Sequence, residues 1–248
     1  MRVLILGGSS EASLLARLVA GRDDIEATLS LAGRTQNPGT VAISVRSGGF
    51  GGVDGLVAYL ETARIRALVD ATHPFAVRMS RHAKEACARL RLPRLVLTRS
   101  PWLPVHGDLW IDVADAEEAA AALGQAPRRV FLTVGRLSLP AFAKAPQHDY
   151  VIRSIDEPQG LDALPHYRLI LARPPFGVED EMRLMREQRV DLLVSKNSGG
   201  KTSYPKIEAA RRLALPVVMI RRPIPEDELA VHDPPAALEW ILHQARAP

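Results

Sequence analysis

The first twenty residues combine a short apolar strand, a glycine turn and a helix, and this order restricts the fold more than any other part of the chain. Residues 2–6 are mostly apolar, residues 7–10 read GGSS, and an amphipathic pattern follows over 11–20. A turn from a strand directly into a helix aims free backbone N–H groups and the positive end of the helix dipole at one point. That geometry favours a phosphate, and a plain tight turn is the alternative. Ala12 stands near the place of the third glycine of G-x-G-x-x-G and still allows close packing.

Length and composition exclude several classes of protein. The 248 residues suffice for one large α/β domain or two small ones. No run of about 18 apolar residues occurs, so no membrane span is expected, and the N-terminus lacks the pattern of a secretory signal. The single cysteine, Cys87, cannot form an internal disulfide, and neither it nor the seven histidines show metal-ligand spacing. We expect a cytoplasmic protein without a bound metal.

The charge is modestly basic, with a net charge of +4. Only five of the 32 basic residues are lysines, and arginine suits carboxylate and phosphate ligands. An anionic small molecule is one explanation, and an arginine-rich genome is the other. Aromatic residues make up 5% of the chain, so the aromatic and basic stripe of a nucleic-acid-binding surface is not expected.

Strand patterns and helix patterns alternate along the chain, which predicts parallel sheets with right-handed crossovers. Predicted strands lie at residues 2–6, 26–31, 41–45, 67–71, 94–97, 110–113, 130–134, 150–154, 169–172, 191–195 and 217–220. Predicted helices lie at residues 11–20, 53–63, 76–90, 115–123, 178–188, 204–213 and 234–245. A proline-containing connector over 98–107 separates two series of elements. We therefore predict two doubly wound domains, 1–105 and 106–248.

Ligands of such sheets bind beyond the carboxyl ends of the strands, so the residues that follow each strand are candidates. Arg34 follows the second strand, where an arginine selects a ribose 2′-phosphate and hence NADPH over NADH; a solvated loop arginine is the alternative. The segment 47–52 (SGGFGG) follows the third strand. We expect it to close over a ligand, with Gly49 and Gly51 against the substrate, unless its glycines only provide positive φ.

The fourth strand leads into the sequence DATHPFA. Because a residue before proline is pushed away from helical geometry, His73 cannot lie inside a helix. We expect Pro74 at a helix start with Thr72 as its cap, which places His73 at the sheet edge near a nicotinamide. There it would bind an acidic substrate group or supply a proton. A capping or loop histidine is the alternative.

The second half has three further clusters at strand ends. Arg136 follows a strand and a glycine, and Arg173 precedes a diproline. The densest cluster, SKNSGGK at residues 195–201, brings two lysines, an asparagine and two glycines behind an apolar strand. This density of donors favours an anion site over a plain turn. The spacing differs from G-x-x-x-x-G-K-[ST], which disfavours a mononucleotide hydrolase.

Taken in order, ILGGSSEA, GGFGG, DATHPFA, FLTVGR, RPPFG, SKNSGGK and PVVMIRRP resemble the precorrin-6A reductase family of cobalamin biosynthesis almost end to end. The family's turn usually carries Thr where this chain has Ser9, which keeps the hydroxyl. The resemblance implies two Rossmann-like domains with the active site in the cleft between them, and neither metal nor flavin. It also implies NADPH-dependent reduction of the tetrapyrrole precorrin-6A, with hydride to C19 and a proton to C18, giving dihydro-precorrin-6. Contacts with neighbouring pathway enzymes would be transient.

Through the resemblance, functions are assigned to matching positions. Cofactor binding is assigned to Gly7, Gly8, Ser9, Ser10, Arg34 and Thr72. Either the cofactor pyrophosphate or substrate carboxylates are assigned to Lys196, Asn197, Ser198, Gly200 and Lys201. Which of these two glycine-rich loops holds the pyrophosphate is left open. Arg136 and Arg173 are assigned to substrate carboxylates, and His73 to a proton-donating or orienting role, with solvent as another proton source.

Two other functions are compatible with the same residues. One is an NADPH-dependent reductase of a small carboxylated imine or enone, which would not need the arginines of the second half. The other is a non-catalytic module that senses NADPH. A methyltransferase that uses S-adenosylmethionine is disfavoured, because Arg34 replaces the acidic residue that would bind the adenosine ribose.

Overall fold

The computed structural model describes residues 1–33, 42–223 and 229–246. The strands are β1 (Arg2–Leu6), β2 (Glu26–Leu31), β3 (Ser44–Ser47), β4 (Ala67–Asp70), β5 (Arg94–Leu97), β6 (Trp110–Val113), β7 (Arg129–Thr133), β8 (Asp149–Ser154), β9 (Tyr167–Leu171), β10 (Leu192–Lys196), β11 (Val217–Ile220) and β12 (Ala230–Val231). The helices are α1 (Ser10–Val19), α2 (Val53–Thr62), α3 (Val77–Leu90), α4 (Ala116–Ala122), α5 (Leu139–Phe142), α6 (Val178–Glu187), α7 (Pro205–Arg212) and α8 (Pro234–Arg246). They form two compact units, Met1–Ser100 with Pro223–Pro248, and Pro101–Arg222.

The first unit contains a six-stranded parallel sheet in the order β3-β2-β1-β4-β5-β12. Successive side chains of β1 point to opposite faces, as the period of a strand requires. Val3 and Ile5 belong to the core cluster that contains the buried faces of α1 and α8. Leu4 and Leu6 belong to the opposite cluster, with α2 and α3. Apolar residues throughout β1 are therefore explained by burial on both faces.

Helix α1 is built from two features of its sequence. Its buried residues recur at the spacing of one helix face and are Ala12, Leu15, Ala16 and Val19. The Ser9 side chain accepts a hydrogen bond from the Ala12 N–H and so caps the first turn. Ala12, the residue near the missing third glycine, is 1% exposed, which agrees with close packing of the helix on the sheet.

The second unit contains a parallel sheet in the order β9-β8-β7-β10-β11-β6. Its core cluster includes Phe131 of β7, Leu193 of β10, and Met182 and Ile207 from α6 and α7. Both sheets thus have the Rossmann order 3-2-1-4-5-6. The strand in the sixth place comes after the other five along the chain in the first sheet and before them in the second. β12, the last strand of the chain, fills it in the first unit, and β6 fills it in the second. The predicted class, two doubly wound parallel-sheet units, is confirmed.

The predicted domain boundary is wrong at the C-terminus. The sequence places residues 223–248 in the second domain, yet the described residues 229–246 belong to the first unit. The N–H of Val96 donates to the carbonyl of Leu229 at 3.0 Å, so β12 extends the first sheet beside β5. Ala237 and Ile241 of α8 are fully buried in the same core as α1. Sequence periodicity identified the helix but not the sheet that it covers.

Several element boundaries also differ from the prediction. The third strand is Ser44–Ser47 rather than 41–45. Helix α3 begins at Val77 with Ala76 as a cap that has no side-chain bond, so Pro74 lies in the preceding turn and Thr72 does not cap it. The two-residue strand β12 and the short helix α5 were not predicted, because neither is long enough to show a period. Among the described residues, no helix has the length and apolarity needed to cross a bilayer.

Candidate active-site elements

The first switch point lies where the strand order of the first sheet reverses, at the carboxyl ends of β1 and β4. The Gly7 N–H donates to the Ser30 carbonyl at 2.8 Å, and a Cβ on Gly7 would lie 2.8 Å from Leu31 Cδ2. Gly8 has φ +136°, and a Cβ there would lie 3.5 Å from the His73 nitrogen. The positive φ of Gly8 favours glycine, whereas a Cβ on Gly7 would displace the ends of two leucine side chains. The glycine turn lies directly against the segment that follows β4.

Ser9 connects the two strand ends. Its hydroxyl donates to the Ala71 carbonyl at 2.8 Å and accepts from the Ala12 N–H at 3.2 Å. Both functions of the hydroxyl are used inside the protein, so it holds the turn in place. The cofactor contact of Ser9 stays a prediction.

Arg99 is a member of this region that sequence reasoning missed. Its Nη1 donates to Ser10 Oγ at 3.2 Å and lies 3.4 Å from Glu11 Oε2. Burial lowers the pKa of Arg99, and the neighbouring Glu11 carboxylate opposes that shift. A guanidinium remains charged in this range, so a cation stands beside the first turn of α1. The only sequence signal was its position two residues after β5.

Asp70 organises the residues that follow β4. Its carboxyl group is 2% exposed, and Oδ1 accepts from the Thr72 N–H at 3.2 Å and from the Thr72 hydroxyl at 2.8 Å. Oδ2 pairs with Arg94 Nη1 at 3.4 Å. Thr72 is therefore fixed by Asp70 at the switch point rather than acting as a helix cap. The prediction that Thr72 lines the nicotinamide side concerns this same switch point.

His73 is half-buried next to Thr72. Its Nδ1 accepts from the Phe75 N–H at 3.3 Å, and its carbonyl accepts from the Ala76 N–H at 2.7 Å. With Nδ1 as acceptor, the neutral ring carries its proton on Nε2. This tautomer can donate a proton or a hydrogen bond at Nε2, which is compatible with the predicted role.

The glycine-rich segment after β3 is held by Arg46, a second residue that the sequence did not indicate. Its guanidinium donates to Ser30 Oγ at 2.7 Å and to the carbonyls of Gly48 and Gly49, each at 3.1 Å. It also lies 3.8 Å from the centroid of the Phe50 ring. The segment is thus shaped around a cation, with Gly49 contributing its carbonyl.

The glycines in and after this segment are needed for different physical reasons. Three of them have positive φ: +107° at Gly48, +81° at Gly51 and +100° at Gly52. The alternative explanation for Gly51, that it provides a positive φ, therefore applies. Gly55, in α2, has the least space for a side chain, since a Cβ there would lie 1.7 Å from the Phe50 carbonyl oxygen. No sequence pattern indicated this. Arg34, predicted to bind the 2′-phosphate, lies outside the described residues.

The second switch point lies between β7 and β10. Thr133 Oγ1 donates to the Val194 carbonyl at 2.9 Å and links the two strands near their ends. Arg136 and Lys201 are exposed at these neighbouring strand ends. Within the described residues, neither side chain forms a hydrogen bond or an ion pair, which leaves both cations available to an anion. Lys196 is more enclosed, and burial lowers its pKa.

Asn197, predicted to bind the cofactor pyrophosphate or substrate carboxylates, has its side-chain amide bonded within the protein. Its Oδ1 accepts from the Trp102 N–H at 2.8 Å, and its Nδ2 donates to the Trp102 carbonyl at 2.9 Å. The Gly200 carbonyl accepts from Trp102 Nε1 at 2.8 Å, and the Ser198 carbonyl accepts from Arg222 Nη2 at 3.0 Å. These bonds fix the loop 196–201 and occupy the Asn197 amide, whereas the Ser198 and Gly200 groups involved are carbonyls, which an anion would not contact.

Arg173 lies at the carboxyl end of the edge strand β9, where its Nη2 pairs with Asp156 Oδ1 at 3.0 Å. Both groups are partly exposed, so the pair is open to water and to an incoming carboxylate. Arg136 and Arg173 are therefore both on the carboxyl edge of the second sheet, as predicted.

A depression of about 510 Å³ lies elsewhere, at the amino edge of the second sheet. Arg128, Arg129, Asp149 and Asp191 are among its lining residues. Arg129 pairs with Asp149 at 3.2 Å, and its N–H donates to Asp191 at 2.7 Å. The depression is opposite the strand ends at which ligands of doubly wound sheets bind, so we do not assign it to the active site.

Comparison with known proteins agrees with this arrangement. A sequence model of the family described as precorrin-6x reductase CbiJ/CobK matches residues 2–242. The chain belongs to this family. A precorrin-6A reductase of Sinorhizobium sp. is 46% identical over 242 residues, which cover 98% of this chain and 93% of that protein. A precorrin-6A reductase of Mycobacterium tuberculosis H37Rv is also 46% identical, over 97% of each chain. A solved structure, CobK precorrin-6A reductase, has a TM-score of 0.93 at 42% identity and covers 100% of this chain and 98% of its own.

Proposed function

We propose that this chain is a precorrin-6A reductase that uses NADPH to reduce a carbon–carbon double bond of the macrocycle during cobalamin biosynthesis. The observation that carries the proposal is 46% identity to precorrin-6A reductases over nearly the whole chain. A cobalt-precorrin-6A reductase of Priestia megaterium is 29% identical over 89% of the chain. The higher identity supports the cobalt-free macrocycle as substrate.

The residues of the first switch point fit a dinucleotide phosphate. Gly7 and Gly8 carry no side chain, the first turn of α1 has N–H groups without an acceptor inside the helix, and Arg99 adds a cation. When bound, NADPH supplies hydride from C4 of its nicotinamide to C19, and a proton is added at C18. In this assignment Thr72, fixed by Asp70, lines the nicotinamide side, and Arg34 binds the 2′-phosphate.

The residues of the second sheet fit a polycarboxylated ring. Arg136 and Lys201 form no ion pair within the part of the chain that the structure describes, and Arg173 can exchange its partly exposed partner for a substrate carboxylate. The protein's task is to hold the acceptor carbon close to the nicotinamide and to exclude water, because the cofactor supplies the redox chemistry. His73 Nε2 donates the proton or orients the ring. Whether the loop 196–201 holds pyrophosphate instead, and whether both ligands lie in a cleft between the units, remain predictions, as does the cytoplasmic location.

The decisive experiment is anaerobic incubation of the protein with NADPH and precorrin-6A, following the nicotinamide band and the macrocycle bands together. We expect both to change with one NADPH consumed per macrocycle. A parallel incubation with cobalt-precorrin-6A tests the preference for the metal-free ring. An unchanged macrocycle spectrum would refute the proposal.

A further inference from the structure

A buried ion pair lies near the carboxyl edge of the second sheet. Arg153 of β8 donates from Nη1 to Glu181 Oε1, in the first turn of α6, at 2.7 Å. The side chains are 8% and 2% exposed. Glu181 Oε2 is buried and has no hydrogen-bond partner among the described residues. Removal of two charges from water is costly, and an incompletely bonded pair recovers less of that cost, so stabilisation of the fold is a poor explanation for it.

The pair contacts the segment 173–177 (RPPFG) that follows β9. The Arg153 guanidinium lies 3.8 Å from the centroid of the Phe176 ring and 5.0 Å from that of Phe131. The Glu181 N–H donates to the Gly177 carbonyl at 3.0 Å. One end of the segment is therefore held by the pair through the stacked Phe176 ring, and the first turn of α6 holds Gly177 through its own backbone bond.

The other end of the segment is connected to the same strand. Arg173 pairs with Asp156, and the Asp156 carbonyl accepts from the Ser154 hydroxyl at 2.6 Å. Ser154 follows Arg153 directly. Five residues without regular secondary structure are thus fixed at both ends from the end of β8.

We propose that Arg153 and Glu181 are positioning residues, which hold Phe176 and thereby present Arg173 to a carboxylate of the substrate. The inference rests on the proposed function, since it requires a polycarboxylated substrate at this edge. An unfixed segment would lose backbone freedom on binding, and that loss of entropy would oppose binding. Fixing it beforehand favours substrate binding and leaves the chemical step largely unaffected.

The test replaces Phe176 in the full-length protein. Phe176→Leu removes the ring from the guanidinium but leaves the ion pair intact, and we expect the KM for precorrin-6A to rise about three- to tenfold. The kcat and the KM for NADPH should change less than twofold. Phe176→Tyr keeps the ring and should restore the KM. Tyr167→Leu, which removes an exposed aromatic ring at the other end of β9, is the matched control and should leave the KM for precorrin-6A unchanged.

A second measurement is independent of any substrate. The Glu181 amide donates to the Gly177 carbonyl, and its protection from hydrogen exchange should fall at least several-fold in Phe176→Leu and stay at the wild-type value in Phe176→Tyr. Unchanged exchange would overturn the positioning role, whatever the wild-type protein reduces. An equal rise in both KM values, or a loss of activity that follows Tm alone, would also overturn it. A wild-type protein that leaves precorrin-6A unchanged would refute the proposed function, while the exchange result still decides the positioning role.

Discussion

The side-chain amide of Asn197 hydrogen-bonds to both backbone groups of Trp102, a residue 95 positions earlier in the chain. One bond runs from the Trp102 N–H to Oδ1, and the other from Nδ2 to the Trp102 carbonyl. A short side chain can make this pair of bonds only if the loop 196–201 has one definite conformation. The pair therefore fixes both the loop and the start of the second unit.

We predict that Asn197→Ala lowers the free energy of unfolding by about 2–4 kcal/mol, because two largely buried backbone groups of Trp102 lose their partners. Urea unfolding followed by tryptophan fluorescence measures the change. Gln125→Ala, at an exposed turn, is the control and should be neutral. Equal stability of the two variants would contradict the structural role of Asn197.

Ser9→Ala should destabilise the protein by about 1–2 kcal/mol, because it removes the cap of α1 and the bond to the Ala71 carbonyl. The affinity for NADPH should fall as well, since the glycine turn loses its connection to β4. Ser9→Thr keeps the hydroxyl and should retain both properties. Thermal unfolding and NADPH titration give the two values, with Ser13→Ala on the exposed face of α1 as the comparison. If Ser9→Ala and Ser13→Ala behave alike, the capping role is wrong.

Arg34→Ala should weaken the binding of NADPH about tenfold or more and change the binding of NADH little, because only NADPH carries the 2′-phosphate. Steady-state KM values for both cofactors measure the difference. Arg22→Ala removes an exposed arginine that pairs with Asp24 and should alter neither value. Equal losses for the two cofactors would exclude Arg34 from 2′-phosphate recognition.

His148 should make stability depend on pH. Its ring is 0% exposed, and burial lowers its pKa from 6.5, while a bond to the Gly124 carbonyl opposes that shift. Below about pH 6.5 the unfolded chain therefore binds a proton that the folded state does not, so stability falls as the pH decreases through this range. Urea unfolding at pH 7 and pH 5 should show a smaller difference for His148→Gln than for the wild type. An identical difference would assign the pH dependence to other groups.

Much of the fold could be predicted from local patterns. The strands Arg2–Leu6, Glu26–Leu31, Arg94–Leu97, Trp110–Val113 and Val217–Ile220 coincide with their predicted bounds. Parallel strands buried on both faces form continuous apolar runs, and helices that cover them show a repeating apolar face. Likewise, the glycine turn directly follows β1 and contains Gly8 with its positive φ, so the first switch point was visible in the sequence.

Other parts of the site depend on contacts that have no local signature. Arg46 and Arg99 looked like ordinary arginines, and Gly55 like an ordinary helix residue. Their roles come from the Phe50 ring, the Ser10 hydroxyl and the Phe50 carbonyl, respectively. The polar neighbours of Asn197 predict a ligand contact, but they do not indicate its bonds to Trp102, which lies far away in the chain.

The sequence by itself therefore determined the alternation of elements, the glycine turn behind β1 and, through its ordered motifs, the family. Only the tertiary structure decided that β12 joins the first sheet and that α8 covers it. It also decided that the Asn197 amide and the Ser9 hydroxyl form hydrogen bonds within the protein. The physical reason is the range of the interactions. Periodicity and turn geometry act over a few residues. The Ser9 and Asn197 hydrogen bonds join positions 62 and 95 residues apart, and the pairing of β12 with β5 joins positions still further apart.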